Sequence, residues 1–308
     1  MICESALDLV CHTPLVALDR VHTGPGRIVA KAEFMLPGGS MKDRSARAIL
    51  TAAKADGRLR PGMTVVEMTS GNMGAGLAVV CAVLGHPLVL IMSAGNSPAR
   101  VRMLEGLGAK VVLVPQVDGS PGQVTGADIS AASAVAVSYS RKCDGFLVDQ
   151  FNAAEPISAH QHETGAELIE QAGMPIAAWV ASVGTGATFM GVARALKAVR
   201  ETTRCYAVEP QGSQPLAGCF VDKPRHVIQG IGYGTVPPHW EPNLCNGTLA
   251  VCDEEAESWR VRLACEEGLY VGYSAAANVC AASRLLVSGI LGSNAVVATI
   301  LCDTGLKY

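Results

Sequence analysis

Apolar residues recur along this chain in short runs that alternate with segments of helical period. The run "TVVEM" is brief and β-branched, and "GLAVVCAVL" behind it has the length and pattern of a helix. "PLVLIM", "KVVLVP", "AAWVASV", "RCYAVEP" and "AVVATILC" read as buried strands. "SPARVRMLEGLG", closed by Gly108, and "TFMGVARALKAVRE" read as helices between them. Apolar strands alternating with helices predict parallel sheets covered on both faces, an α/β fold. The chain has 308 residues, enough for two domains. A turn-rich stretch at 115–126 predicts a surface loop, and the Gly- and Pro-rich stretch from Pro210 to Asn246 is long enough to serve as an active-site cover.

Composition narrows the class. Hydrophobic residues make up 49% and charged residues 17%, which fits a compact enzyme with much internal or subunit-interface surface and excludes disorder. A net charge of −3 supplies no basic field for a nucleic-acid backbone or an anionic membrane. The longest apolar stretch is broken by Gly85, His86 and Pro87, so it reads as helix, turn and strand and not as a membrane span. The N-terminus has no basic start and carries Glu4 and Asp8, unlike a secretory leader. The 11 cysteines form no CxxC pair and sit in apolar surroundings such as "VVCAVL" and "RLACEEG"; most are expected to be buried thiols in a reducing, cytoplasmic setting.

Four glycine-framed segments carry candidate chemistry. In "SVGTGATFMG", Gly184 and Gly186 let backbone approach a ligand, Thr185 and Thr188 add hydroxyls, and a helix start follows; this suits a phosphate, or is an ordinary tight turn. In "EMTSGNMGAG", Thr69, Ser70 and Asn72 stand at another helix start, suited to a carboxylate or to plain capping. In "PGGSMKDRSA", Lys42 opens a helix, where the dipole disfavours its charge and favours a nucleophilic amine; the alternative is a solvated lysine paired with Asp43. Ser274 in "EEGLYVGYSAAANV" is a hydroxyl partner or an N-cap. Together these meet the needs of pyridoxal phosphate handling an amino acid. His160 and His162 in "HQHE" lie two apart and face different ways on a helix, so they read as a surface pair and no metal is expected. "CDEEAE" reads as an N-cap followed by acids at a helix start, and Asp303 as structural or part of a network.

In order, "PGGSMKDR", "TSGNMG", "VGTGAT", "IQGIG", "EEGLYVGYSA" and "DTG" resemble the cysteine synthase (O-acetylserine sulfhydrylase) family of fold-type II pyridoxal-phosphate enzymes, across nearly the whole chain. The resemblance implies two domains of the tryptophan synthase β-like kind, each a mostly parallel twisted sheet flanked by helices. The smaller, mobile one would span 35–149, and the larger 1–34 plus 150–308. It implies that Lys42 forms the Schiff base and acts as general base, and that Asn72 bonds the ring hydroxyl. Gly184, Thr185, Gly186 and Thr188 would hold the phosphate, and Ser274 the pyridine nitrogen. Thr69, Ser70 and Gln150 would take the substrate carboxylate, with Met73, which stands where the family has Thr, bordering the substrate. It also implies a homodimer. A neutral serine at the ring nitrogen favours loss of a β-leaving group, so the reaction is β-replacement on an O-activated serine through an aminoacrylate, with a small nucleophile adding. The alternatives are a diaminopropionate-type synthase using an amine, and a β-eliminating lyase or deaminase.

Overall fold

The computed structural model describes residues 2–120, 124–223 and 226–308. Residues 121–123, inside the loop expected at 115–126, and 224–225, inside the irregular stretch after Pro210, lie outside the described residues. In chain order the elements are β1 (Leu15–Ala17), β2 (Arg27–Lys31), α1 (Lys42–Ala55), β3 (Val65–Met68), α2 (Asn72–Leu84), β4 (Leu88–Ser93), α3 (Pro98–Gly106), β5 (Lys110–Val114), α4 (Gly126–Lys142) and β6 (Phe146–Leu147). There follow α5 (Glu155–Ala159), a π-helical turn (His160–Gly165), α6 (Ala166–Ala172), β7 (Ala178–Ser182), α7 (Ala187–Val199), β8 (Arg204–Pro210), β9 (Gly247–Val251), α8 (Asp253–Glu267), α9 (Tyr273–Val287) and β10 (Val296–Ile300). Each strand and helix read from the apolar pattern is present.

The chain divides into two compact units, Met1–Val10 with Leu36–Glu155, and Cys11–Met35 with Pro156–Tyr308. The smaller unit holds a four-stranded, all-parallel sheet in the order β5-β4-β3-β6. Its strands are buried on both faces. Val65, Leu88, Leu90 and Met92 pack under α1 and α2, while Val66, Val89 and Ile91 pack against Ala132 and Ala136 of α4. The period of two along a strand divides one apolar run between two cores. Helix α4 has no apolar stripe of the usual kind. Its buried positions, Asp128, Ala132, Ala136 and Ser140, recur every four residues but are small or polar. The first residues join this unit because Leu7 packs on its core and the Arg47 guanidinium donates to the Leu7 carbonyl at 3.3 Å.

The larger unit holds a six-stranded sheet in the order β1-β2-β10-β7-β8-β9, parallel except for β1. Helix α9 supplies an almost continuous buried face, Ala275 to Leu286, against Ile28, Val180, Val208 and Val297. Asn278 pins it there: its carbonyl oxygen accepts the Ser182 N–H at 2.7 Å and its amide donates to the Ile300 carbonyl at 3.0 Å. One side chain thus registers α9 against the carboxyl ends of β7 and β10, one helical turn from Ser274. Among the described residues, no helix is long and apolar enough to cross a membrane.

Two expectations change. Only Cys81, Cys205, Cys280 and Cys302 are buried, and burial pushes each of these thiols up to about 12. Cys265 is exposed because it lies two residues, roughly 200°, around α8 from the buried Leu263. His160 is not on a helix surface: it is fully buried, hydrogen-bonded to Thr164 at 2.9 Å and to Thr188 at 3.1 Å. Glycines make this possible, since a Cβ on Gly165 would lie 2.5 Å from the Ala195 Cβ, and one on Gly191 would lie 2.8 Å from the His160 Cβ. His162 does stay exposed, bonded to Ser158.

Candidate active site

The bland explanation for Ser70, Asn72 and Ser274 was capping, and the helix starts decide against it. The N-cap of α2 is Gly71 and that of α9 is Gly272, each without a side-chain cap. Helix α7 starts after Gly186, also uncapped. By contrast α4 and α8 carry full capping boxes, Thr125 with Asp128 and Cys252 with Glu255, the latter the N-cap expected for "CDEEAE". Helices α2, α7 and α9 therefore begin with no capping side chain competing for the N–H groups at their positive ends.

In the larger unit, the turn between β7 and α7 is shaped by backbone alone. Gly186 has φ +87°, a left-handed conformation that L side chains resist. A Cβ on Gly184 would stand 2.4 Å from the Gly230 carbonyl oxygen. Two loops thus meet at the glycine of "VGTGAT" and the second glycine-bearing motif, "IQGIG". The same loop reaches Ser274, whose hydroxyl donates to the Gln229 carbonyl at 3.3 Å. Gln229 and Gly230 lie in the irregular stretch after Pro210, which is anchored at its start by Glu209: its carboxyl oxygens accept the N–H groups of Leu216 at 2.8 Å and Ala217 at 3.1 Å. Burial raises the Glu209 carboxyl above its ordinary value against those bonds. Behind the turn, buried His160 holds the hydroxyl of Thr188, so Thr185 and Thr188 are both nearly buried and Thr188 has a fixed partner. This geometry fits a phosphate: a tight glycine turn, an uncapped helix start and ordered hydroxyls.

In the smaller unit, Lys42 is the first residue of α1, half-buried, with its N–H donating to the Ser40 hydroxyl at 3.3 Å. Asp43 is fully buried and accepts the Gly38 N–H, closing the Gly-Gly turn rather than serving as a solvated partner. Helix α2 lies close on this start: a Cβ on Gly76 would come 2.9 Å from the Lys42 carbonyl oxygen. The turn of Thr69, Ser70 and Gly71 precedes α2, with the Thr69 hydroxyl accepting the Gly71 N–H at 3.4 Å. No neighbouring atom lies within 4 Å of where a Gly71 Cβ would sit, so this loop has room that the β7–α7 turn lacks. Gln150 joins the same end of the sheet through a residue that the motifs did not single out. Glu67, buried near the end of β3, accepts the Asp149 N–H at 2.9 Å and meets the Gln150 amide nitrogen at 3.1 Å. Desolvation pushes its carboxyl up to about 8.

Met73 departs from its expected place. It is 2% exposed and belongs to the apolar cluster of α1, α2, β3 and β4, so its side chain packs the helix against the sheet. Position 73 follows Asn72 by one residue and turns about 100° away from it, which aims the thioether inward. Asp303 is buried, accepts the Tyr308 hydroxyl at 2.7 Å and fills the space where a Gly272 Cβ would go, which supports a structural role under the start of α9. Among the described residues no cluster of His, Cys, Asp or Glu is suited to a metal.

Comparison with known proteins bears on these turns. Residues 6–303 match the family model described as pyridoxal-phosphate dependent enzyme. A probable cysteine synthase of Bacillus subtilis is 36% identical over all of this chain and 96% of its own length. Two of the solved structures that cover all of this chain illustrate the likeness. One is a hydrogen sulfide-producing enzyme from Fusobacterium nucleatum, 27% identical with TM-score 0.92 over 98% of that chain. The other is an O-acetylserine dependent cystathionine beta-synthase from Helicobacter pylori, 30% identical with TM-score 0.88 over 97% of that chain. With matches along its full length, the chain belongs to the pyridoxal-phosphate dependent enzymes, as a cysteine synthase-like member of fold type II.

Proposed function

We propose that this enzyme catalyses β-replacement on an O-activated L-serine, O-acetylserine in the first instance, with sulfide or a related small nucleophile. Pyridoxal phosphate, when bound, supplies the electron sink that makes a proton on the amino acid's α-carbon acidic. Lys42 would hold the cofactor through Nζ and would serve there as the base for the substrate's α-proton. Gly184, Thr185, Gly186 and Thr188 bind the phosphate, with His160 fixing the Thr188 hydroxyl. Asn72 donates to the ring hydroxyl. Thr69, Ser70 and Gln150 hold the substrate carboxylate; Met73 is left out because it is buried in the core.

The observation that carries the reaction class is Ser274. It is buried, sits past the N-cap of α9, and its hydroxyl can turn from the Gln229 carbonyl to donate to a ring nitrogen. A neutral partner at the ring nitrogen does not enforce a cation there, which limits charge delocalisation and lets departure of the β-substituent outrun side reactions. The likeness to a hydrogen sulfide-producing enzyme favours a second reading, elimination that frees sulfide from a thiol amino acid. A panel of serine derivatives with sulfide, thiols and amines, read by product mass, separates the two. Replacement products from O-acetylserine are expected, and release of pyruvate without incorporation of any nucleophile would overturn the first reading. Lys42→Ala is expected to abolish both the covalent visible absorption and turnover. Borohydride trapping at Lys31, which is fully buried and ion-paired with Glu167 at 2.6 Å, would refute the lysine assignment.

Two further features are proposed. Eleven cysteines without a disulfide support a cytoplasmic setting. Exposed apolar side chains such as Phe220 and Val236 support a homodimer, which light scattering at micromolar concentration would test.

A further inference from the structure

The larger sheet parts at one place, and a side chain fills the gap. β10 pairs with β2 from Val296 to Ile300, and β7 pairs with β8 from Ala178 to Ser182. Between β10 and β7, among the described residues, the ladder holds two pairs, Val297 with Ala178 and Ala298 with Trp179. Carried two residues further, that register would set Ile300 opposite Ala181, and the Ser182 N–H would donate to the Ile300 carbonyl. The carboxamide of Asn278, reaching from α9, stands between those two groups instead. Its Oδ1 accepts the Ser182 N–H at 2.7 Å, and its Nδ2 donates to the Ile300 carbonyl at 3.0 Å. Nδ2 also meets the Cys302 sulfur at 3.4 Å. Ser182 offers a backbone donor and Ile300 a backbone acceptor, which fixes the orientation of the amide. Nearby the Thr299 hydroxyl donates to the Val180 carbonyl at 2.7 Å, a second side chain bridging the same two strands. Asn278 and Thr299 are both fully buried.

The gap lies where the strand order reverses. From β7 the sheet runs outward through β8 and β9 on one side, and β10 lies on the other. Open α/β sheets bind ligands outside the carboxyl ends of their strands at such a reversal. Ser182 is the last residue of β7, and Gly184, which abuts the Gly230 carbonyl, follows two residues later. Ser274 stands about one turn before Asn278 on α9. One amide thus joins the helix that carries Ser274 to the strand that leads into the β7–α7 turn.

We propose that Asn278 is a positioning residue for the cofactor: inserted between β7 and β10 in place of a ladder hydrogen bond, its amide sets the spacing of Ser274 from the β7–α7 turn, so that one molecule meets both at once. This rests on the assignment of Ser274 to the ring nitrogen and of Gly184, Thr185, Gly186 and Thr188 to the phosphate. Pyridoxal phosphate carries its ring nitrogen and its phosphate within a narrow range of separations. Two contacts at the matching spacing act together, and the joint affinity exceeds that of either part by about 100- to 10,000-fold when geometry permits both. An error in spacing leaves each contact intact and removes the joint gain. A small apolar residue at 278 leaves the Ser182 N–H and the Ile300 carbonyl without their partner, and closing of the strands into the missing bond would carry the end of β7 toward β10.

The test uses the full-length protein, freed of cofactor and titrated with three ligands. These are pyridoxal phosphate; pyridoxal, which keeps the ring and aldehyde; and inorganic phosphate, read by competition with the first. In Asn278→Ala the affinity for pyridoxal phosphate is expected to fall about tenfold or more, while those for pyridoxal and inorganic phosphate stay within about twofold of wild type. Leu285→Ala, which opens a cavity elsewhere on the buried face of α9, is expected to lower the melting temperature and leave all three affinities unchanged. Should Asn278→Ala not fold, Asn278→Ser, whose hydroxyl can reach one strand but not both, carries the same comparison. Equal losses for all three ligands would show that Asn278 supports the fold alone, and an unchanged affinity for pyridoxal phosphate would show that the spacing is set elsewhere; either result overturns the proposal. If wild type itself binds pyridoxal phosphate no better than pyridoxal, the β7–α7 turn does not hold the phosphate, and the site assignment falls with the proposal.

Discussion

The two strand–turn–helix motifs of this enzyme look alike in sequence and differ in what shapes them. The β7–α7 turn leaves its glycines no choice: Gly186 is left-handed and Gly184 abuts the Gly230 carbonyl. The β3–α2 turn contains Gly71 with φ −139° and open space beside it, and carries the buried Thr69 and the half-buried Ser70. The β7–α7 turn is backed by a buried residue from earlier in the chain, His160 behind Thr188, whereas β3 reaches the turn after β6 through buried Glu67. A rigid backbone cradle suits a group that stays bound through every turnover. A roomier turn with hydroxyls suits a carboxylate that arrives and leaves. Preorganisation is thus strongest where the occupant is permanent.

The sharpest test of that contrast is Gly184→Ala. A methyl 2.4 Å from a carbonyl oxygen must move one of two loops, and the cost of about 1–3 kcal/mol falls on the β7–α7 turn. Cofactor retention, read by absorbance after dialysis, is expected to drop more than tenfold (on the order of 1.4 kcal/mol). Full retention would show that the cradle is less rigid than its geometry.

Next in size is the pH dependence of stability from Glu67. The folded carboxyl is raised from 4.5 to about 8, so between those values the native state binds a proton that the unfolded chain has lost. Its contribution is neutral below about 4.5 and turns against folding as pH rises through the window to about 8. Urea unfolding of Glu67→Gln is expected to show a stability that falls less with pH than that of wild type, by up to about 1.4 kcal/mol per unit inside the window. Parallel profiles would mean that Glu67 is ionised throughout.

Gly76→Ala asks whether the smaller unit has its own rigid part. The added methyl meets the Lys42 backbone at 2.9–3.0 Å, and a destabilisation of about 1–2 kcal/mol in thermal unfolding is expected. Gly71→Ala should do least, within about 0.5–1 kcal/mol in stability and with cofactor retained. Loss of cofactor in that variant would erase the distinction between the two turns.

Much of the molecule was readable from one dimension. The alternation of apolar runs and helical segments predicted each strand and helix named from it, because burial on both faces of a parallel sheet leaves uninterrupted apolar runs. Lys42 at the first position of a helix, and the glycine turns at 69–72 and 184–188, follow from residues a few positions apart, and so did the family resemblance that these motifs carry. Helix α4 was missed because its buried stripe, Asp128, Ala132, Ala136 and Ser140, is small or polar and carries little apolar signal.

What tertiary structure decided depends on contacts between distant positions. No spacing rule connects Glu67 with Gln150, His160 with Thr188, Gly184 with Gly230 or Asn278 with Ser182, pairs that span 28 to 96 residues. Met73 is the same lesson at short range. Its neighbours in sequence suggested a ligand contact, but the rotation of α2 sends the side chain into the core, and only the packed helix fixes that rotation. Local sequence set which groups the enzyme owns; packing set which of them are buried, and burial sets their protonation and orientation, because desolvation acts only once the chain has closed around them.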